Sequence, residues 1–170
     1  MENFKQKLTR IKTILLDVDG VLTNGQVLVM ENGEFVRNMN SKDGYALQLA
    51  VKKGYRLTII SGGNSMPIKK ALENIGIQDI FMSQHDKLQC YKDYIYEHGL
   101  AEEEILYMGD DLPDYEVMQR VGIAACPFDA AHEIKDICLY ISNRKGGEGC
   151  VRDIIEQVMR SQGTWEIGGW

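Results

Sequence analysis

Cysteine, positive charge and long apolar runs are all scarce in this sequence. The four cysteines among 170 residues include no C-x-x-C pair, which argues against a zinc site or a disulfide framework. Lysine and arginine total 19 against 25 aspartates and glutamates, so the net charge of −6 disfavours nucleic acid or an anionic membrane as the main partner. No apolar run could span a bilayer and residues 1–10 are polar, so we expect no membrane span, no signal peptide and a cytoplasmic location.

Proline and low-complexity sequence are equally rare, and nothing marks a boundary between domains. The chain has 3 prolines in 170 residues, a length that suits one domain with a real core and is short for two. We therefore expect a single domain over residues 1–170. Two glycine-rich stretches, 143–149 and about 161–170, are predicted to be mobile or to become ordered only against another subunit.

Two aspartates follow a short apolar run in the stretch 14–25, ILLDVDGVLTNG. Asp17 and Asp19 are alternate residues of extended backbone, so their carboxylates emerge on the same side near the carboxyl end of a strand. Open α/β sheets hold their ligands at that end. Two close acids repel each other unless a cation or a substrate is present, although an ordinary D-x-D-G turn remains the alternative.

Short apolar runs alternate with amphipathic segments along the chain. Strands are predicted at 11–16, 56–60, 79–82, 105–108, 121–125 and 137–141, and helices within 38–55 and at 65–75, 86–98, 113–120, 130–135 and 151–160. Asn32-Gly33 lies between two short extended segments and predicts a β-hairpin at about 25–38, which can cover the aspartate turn as a flap. The alternation predicts an α/β, Rossmann-like doubly wound fold, with a mainly parallel sheet and helices on both faces.

A second acidic turn, G-D-D-L-P-D, follows the predicted strand 105–108. Because the strand ends of a doubly wound sheet meet along one edge, its three aspartates should approach the first turn; they are Asp110, Asp111 and Asp114. An all-oxygen set without nearby histidine or cysteine favours Mg²⁺ over zinc. Taken alone, this turn could equally be an acidic helix cap.

Phosphate-binding groups follow the strand 56–60. Ser61 offers a hydroxyl, and the backbone of Gly62 and Gly63 at a helix start offers N–H donors. Lys87, early in the next helix, can offset negative charge. Taken alone, the turn at Ser61 is typical of any strand-to-helix connection, and Lys87 is typical of a solvated helix lysine. The prediction therefore depends on the order and spacing of all the motifs.

The four motifs together resemble the haloacid dehalogenase superfamily over nearly the full chain. DVDGVLT is similar to its nucleophile motif, Ser61 to its second-strand serine or threonine, Lys87 to its lysine, and GDDLPD to its acidic motif. The small size without an inserted cap domain, the hairpin, NSKDGYA and the late RKGGEG resemble more narrowly the 3-deoxy-D-manno-octulosonate 8-phosphate (KDO 8-phosphate) phosphatase subfamily.

This resemblance implies a Mg²⁺-dependent phosphatase of lipopolysaccharide sugar biosynthesis, which releases phosphate from KDO 8-phosphate through an aspartyl-phosphate. By the resemblance, Asp17 is the nucleophile and Asp19 the general acid and base. The implied metal ligands are Asp17, the Asp19 carbonyl and Asp110, and the implied phosphate-binding residues are Ser61, Gly62 and Lys87. Two further acids are expected to orient Lys87 and metal-bound water, namely Asp111 and Asp114.

The same resemblance implies a substrate-contacting segment, whose residues are Asn40, Ser41, Lys42, Asp43 and Gly44. A plain helix start capped by Ser41 or Asp43 is compatible with the same pattern. The sequence departs from the octulosonate phosphatases at Gly63 and Ala71, where they often have basic residues; Lys69 and Lys70 are candidate substitutes. Nine-carbon sugar acid phosphatases often have glutamate at the Gly63 place.

Members of the subfamily resemble one another in forming tetramers whose subunits cap each other's sites, so the resemblance implies a homotetramer. Arg144 and Lys145 then either reach a neighbouring site or belong to an ordinary connection. Two other functions stay open: a phosphatase for a nine-carbon acid (KDN or sialic acid 9-phosphate), and a noncatalytic oligomerisation or regulatory module.

Overall fold

A computed structural model describes residues 3–168, with a parallel sheet between two layers of helices. The strands in this range are β1 (Thr13–Leu16), β2 (Leu28–Val29), β3 (Phe35–Val36), β4 (Arg56–Ile60), β5 (Asp79–Phe81), β6 (Ile105–Met108), β7 (Ile123–Cys126) and β8 (Tyr140–Ile141). The sheet has six strands in the order β5-β4-β1-β6-β7-β8, and its neighbours pair in parallel.

Helices cover both faces of this sheet. They are α1 (Phe4–Leu8), α2 (Ser41–Lys52), α3 (Met66–Ile75), α4 (Lys87–His98), α5 (Tyr115–Met118), α6 (His132–Ile137) and α7 (Cys150–Ser161). The helices α1, α2, α3 and α7 share one apolar core, and α4, α5 and α6 share the other. The predicted Rossmann-like doubly wound α/β fold is confirmed. Within the described range, no helix is both long and apolar enough to cross a bilayer.

The strand β1 lies at the centre of the sheet and is buried on both sides. Ile14 and Leu16 pack into the α2 and α7 core, whereas Leu15 faces the opposite core. A strand covered on both faces has to be apolar throughout, which explains why this run lacks the polar alternation of a surface strand.

The chain changes direction across the sheet beside β1. After β1 it builds β4 and then β5 on one side, and it returns to place β6 on the other side, with Leu16 paired to Met108. The connections that leave the carboxyl ends of β1 and β6 therefore diverge and open a crevice between them. Both acidic turns of the sequence begin at this crevice.

The predicted hairpin is present but its paired part is short. β2 and β3 form an antiparallel pair around Gly33, whose φ of +85° permits the turn. Its apolar side chains point away from the domain, since Leu28, Val29 and Phe35 are 60 to 65% exposed. The hairpin is therefore a projecting arm with an apolar surface.

Some local predictions differ from the structure. The N-terminal helix α1 was not predicted, although Asn3 and Gln6 form a reciprocal capping box and Leu8 is buried. The predicted helix 113–120 is a 3₁₀ turn over Leu112–Asp114 followed by the short α5. The predicted last strand 137–141 is shorter in the structure, over Tyr140–Ile141, because α6 continues to Ile137.

Both glycine-rich stretches are packed where they are described. Gln162 Nε2 donates to the carbonyls of Leu8 and Ile11, at 2.8 Å each, and the Trp165 ring contacts Tyr45 and Arg152. The tail predicted to be flexible thus lies against its own chain as far as Trp165. Residues 169–170 of that prediction lie outside the described residues.

Candidate active site

Asp17 leaves β1 at the crevice and remains tied to the sheet. Its amide donates to Met108 O at 3.1 Å, which continues the ladder between β1 and β6. The turn that follows bends at Gly20, with φ +90°, and closes where Thr23 N donates to Val18 O at 3.0 Å. The end of the turn at Thr23 is therefore held against its start at Val18, the residue after Asp17.

A buried lysine joins the two acidic turns. Lys87 Nζ lies 2.9 Å from Asp17 Oδ1 and 2.7 Å from Asp114 Oδ1, and its side chain is only 4% exposed. Burial alone would lower the pKa of Lys87, but the charges of Asp17 and Asp114 outweigh it and raise that pKa. Lys87 is therefore a fixed cation between two carboxylates and differs from the solvated lysine that its sequence position would suggest.

The carboxylate of Asp114 is fully engaged by protein donors. Besides Lys87, its Oδ1 accepts from the Tyr107 hydroxyl at 2.7 Å, and its Oδ2 accepts from the Asp110 amide at 3.1 Å. It therefore orients Lys87 and the Asp110 turn. Asp111, by contrast, is exposed, and its side chain caps the 3₁₀ turn by accepting from Leu112 N.

Asp110 presents one carboxylate oxygen that lacks a protein donor in the part of the chain that the structure describes. Its Oδ1 is buried and has no hydrogen-bond partner within residues 3–168, and its carboxylate packs so tightly on Gly20 that a Cβ there would overlap it. Burial and the charges of Asp17 and Asp114 raise the pKa of Asp110 to about 8. The same crowding acts on its neighbour: burial and Asp114 raise the pKa of Asp17 to about 6 despite Lys87.

These features fit a bound cation. One oxygen from each of Asp17, Asp110 and Asp114 lies within 4.8 Å of the others. Because Asp114 is already engaged, Asp17 and Asp110 are the carboxylates with oxygens left for a metal. Oxygen-only ligands suit a hard ion such as Mg²⁺, whose charge would relieve the repulsion between them. Two of the predicted metal ligands, Asp17 and Asp110, thus lie together.

Asp19 faces the more open side of the crevice and is held by an arginine that sequence reasoning missed. Arg37, just after β3, places Nε 2.8 Å from Asp19 Oδ1 and Nη2 3.3 Å from Oδ2. Its side chain is 13% exposed. The contact joins positions 18 residues apart. It depends on how the hairpin folds back over the aspartate turn, which no local sequence pattern indicates.

The Ser61 turn lies beside Asp19. Ser61 is buried, its amide donates to Phe81 O at 2.9 Å, and its Oγ accepts from Gly63 N at 3.2 Å. A Cβ placed on Gly63 would lie 3.0 Å from Asp19 Oδ2 and 3.6 Å from Ser61 Oγ. The serine, the second aspartate and the exposed Gly62 turn therefore surround one small volume.

The predicted substrate segment is split between surface and interior. Asn40 caps α2 by accepting from Lys42 N at 2.9 Å, and its Nδ2 donates to Gly147 O at 3.2 Å. Asp43 is 1% exposed, and its Oδ1 accepts from Arg152 N at 2.7 Å, at the start of α7. The structure leaves Ser41 and Lys42 exposed, while Gly44 faces Ile75 of α3.

The glycines of RKGGEG pack against the aspartate turn. Gly147 N donates to Val21 O at 3.0 Å, and Gly146 N donates to Asp129 Oδ1 at 2.9 Å. A Cβ on Gly146 would overlap Gly20 O. The glycines thus allow two backbones to touch, and this stretch supports the turn that carries Asp17 and Asp19.

Fold and site define a class of protein. Parallel strands that deliver two aspartates, a serine turn, a buried lysine and a second acidic turn to one switch point are typical of haloacid dehalogenase-type phosphoryl-transfer enzymes. The model of the haloacid dehalogenase-like hydrolase family matches residues 75–154. KDO 8-phosphate phosphatase of Salmonella typhi is 31% identical over 157 residues, covering 92% of this chain and 84% of that protein. The chain belongs to the KDO 8-phosphate phosphatase family of this superfamily.

Solved structures agree with this assignment. The Moraxella catarrhalis KDO 8-phosphate phosphatase, crystallised with magnesium, phosphate and KDO, has a TM-score of 0.90 and 30% identity, covering 94% of this chain and 91% of that one. The cobalt-bound Haemophilus influenzae enzyme has a TM-score of 0.88 and 28% identity, covering 93% and 92%. The predicted family is confirmed.

Proposed function

We propose that this protein is a Mg²⁺-dependent phosphatase that hydrolyses KDO 8-phosphate to the free sugar acid and inorganic phosphate, in lipopolysaccharide sugar biosynthesis. The observation that carries the proposal is the buried Asp17, Lys87 and Asp114 network beside the unpartnered Asp110 oxygen. Family membership and the relatives' activity support the choice of substrate. A noncatalytic module would have no reason to bury two acids and a lysine at a strand end.

Each residue has a distinct role in this proposal. Asp17 is the nucleophile, whose carboxylate bonds to phosphorus as the ester bond to the sugar oxygen breaks, and Lys87, 2.9 Å from its Oδ1, holds that carboxylate in place. Asp19 gives its proton to the leaving sugar oxygen and later takes one from the water that attacks the aspartyl-phosphate. Ser61, the Gly62 amide and Lys87 hold the phosphoryl oxygens. Asp17, Asp110 and the Asp19 carbonyl would hold Mg²⁺, which when bound would supply positive charge to neutralise the phosphate.

Phosphate release from a panel of esters tests this function. Wild-type protein with Mg²⁺ is compared on KDO 8-phosphate, nine-carbon keto-deoxy sugar acid 9-phosphates and hexose phosphates, beside Asp17→Asn and the exposed-site control Asp93→Asn. We expect the highest kcat/KM on KDO 8-phosphate, loss of turnover in Asp17→Asn, and normal turnover in Asp93→Asn. Preference for a nine-carbon ester would transfer the proposal to that substrate, and no turnover of any ester would overturn it.

We also propose a homotetramer of single-domain subunits that cap neighbouring sites. The exposed apolar side chains of β2 and β3 support it, since a projecting apolar surface of this kind is typical of an interface. Two apolar cores on one sheet support a single domain over 1–170. The four cysteines are free thiols, which supports a reducing cytoplasmic location.

A further inference from the structure

Arg37 is the residue of the site for which the family motifs give no role. It enters the crevice from the hairpin, and its two contacts on Asp19 use both carboxylate oxygens, at 2.8 and 3.3 Å. A fork of this kind fixes the plane of a carboxylate as well as its distance, which a single point charge does not. Thr23 Oγ1 adds only a long contact of 3.4 Å to Asp19 Oδ1.

Gly63 lies against the same pair of side chains, Asp19 and Arg37. A Cβ on that residue would stand 3.0 Å from Asp19 Oδ2, tighter than ordinary packing, and 3.7 Å from Arg37 Nη2. The φ angle of Gly63 is not left-handed, so backbone conformation does not demand glycine there. The tight contact is with the carboxylate that Arg37 holds, which would have to shift by a few tenths of an ångström to admit a Cβ.

The groove beside Arg37 is large enough for the body of a ligand. A cavity of about 590 Å³ runs between the hairpin and the start of α3, and Arg37, Val36, Ser65 and Met66 line it. A leaving group bound in this cavity would lie against Arg37, so the carboxylate that Arg37 holds would be close to it.

We propose that Arg37 is a positioning residue that aims Asp19 at the leaving oxygen, and that the bare backbone of Gly63 provides the room it needs. This inference rests on the proposed phosphatase function, in which Asp19 transfers the proton: the proton would reside on Oδ2, the oxygen of the longer 3.3 Å contact, while Oδ1 keeps the 2.8 Å hydrogen bond from Arg37 Nε. Arg37 makes no bond to phosphorus and is not a catalytic residue. Its contribution should therefore grow with the need of the leaving group for a proton.

Leaving-group dependence tests the proposal. Arg37→Met, Arg37→Lys and the hairpin control Glu31→Gln are assayed on KDO 8-phosphate, whose alkoxide must be protonated, and on p-nitrophenyl phosphate, whose phenolate leaves unaided. For Arg37→Met we expect kcat on the sugar ester to fall about 100-fold, with KM changed less than about threefold. The fall on the aryl ester should be under about threefold. Arg37→Lys should recover part of the loss, and Glu31→Gln should match wild type.

Gly63→Ala provides a second route that leaves Arg37 in place. We expect the same selective loss of kcat on the sugar ester, and a double variant with Arg37→Met that is no worse than Arg37→Met alone, because both changes misplace one carboxylate. Equal losses on both esters, a rise in KM without a fall in kcat, or no loss would overturn the proposal. If wild type hydrolyses only the sugar ester, the split between kcat and KM decides. Failure of wild type on both esters would instead overturn the proposed function.

Discussion

Asp43 is a buried acid at the junction of two helices, and its ionisation should affect the stability of the fold. Burial raises its pKa to about 6, even though the Arg152 and Gly149 amides donate to it, and its Oδ2 has no partner within the described residues. An aspartate in an unfolded chain has a pKa of about 3.9. The native state therefore binds this proton more tightly than the unfolded state.

Asp43→Asn should accordingly change the pH dependence of unfolding. The favourable contribution of Asp43 is present below about pH 4 and is lost as the pH rises through about 6. We expect the unfolding free energy of wild type minus that of Asp43→Asn to decrease by roughly 2–3 kcal/mol between pH 4 and 7. Urea titrations across this range measure it, with exposed Asp93→Asn as the control. A difference that stays constant with pH would contradict the burial effect.

Asp110 should govern the response of the protein to the metal. Because its Oδ1 has no protein donor, a bound cation should stabilise the fold by about 2.7 kcal/mol at a hundredfold excess over its dissociation constant. We expect Mg²⁺ to raise the melting temperature of wild type and of Asp93→Asn, and to have little effect on Asp110→Asn. An equal rise in Asp110→Asn would place the metal elsewhere.

The sequence indicated most residues of the site but not which of their side chains contact one another. Asp17, Lys87 and Asp110 follow from strand ends and motif order, because parallel strands bring such positions together. The Arg37 contact could not be predicted, since it depends on how a hairpin folds back. Asp43 resembles a substrate contact in sequence, yet α7 buries it.

The glycine-rich stretch before α7 acts as a support for the aspartate turn, although its composition predicts mobility. Gly146→Ala should push on Gly20 O and move that turn, so we expect kcat to fall about tenfold or more among folded molecules. Gly122→Ala creates a similar clash with Glu103 O, at the opposite end of the sheet. Both variants should lose roughly 1–3 kcal/mol of stability.

The comparison of these two variants separates the site from the scaffold. Steady-state kinetics corrected for folded fraction should show the loss of kcat in Gly146→Ala alone. A similar loss in Gly122→Ala would mean that general destabilisation explains both.

Elements with strong local signals were predicted well, and those decided by packing were not. Arg56–Ile60 and Ile105–Met108 have the predicted bounds because each is an apolar run with a polar turn at its end. The helix predicted at 113–120 is broken because the Asp111 cap and Pro113 favour a 3₁₀ turn first. The spacing of apolar residues, on which the helix prediction was based, does not reveal the effect of this cap or of this proline.

The assembly should depend on the hairpin arm. If Leu28 and Phe35 lie in a subunit interface, changing both to serine should dissociate the homotetramer into smaller species. Light scattering coupled to size exclusion measures this, with Tyr96→Ser, an exposed aromatic residue on α4, as the control. A mass of four chains in the double variant, or of one chain in wild type, would contradict the proposed interface.

The central claim about the whole molecule is that Asp17 is the nucleophile. Trapping a covalent phosphoryl-enzyme tests this claim most directly. Asp19→Asn should form the phosphoryl-enzyme from an aryl phosphate with Mg²⁺ but hydrolyse it slowly, because water lacks its base. After an acid quench, mass spectrometry should find one phosphoryl group on the peptide that contains Asp17, and none in Asp17→Asn. A phosphoryl group on another residue, or full turnover by Asp17→Asn, would contradict this assignment of the nucleophile.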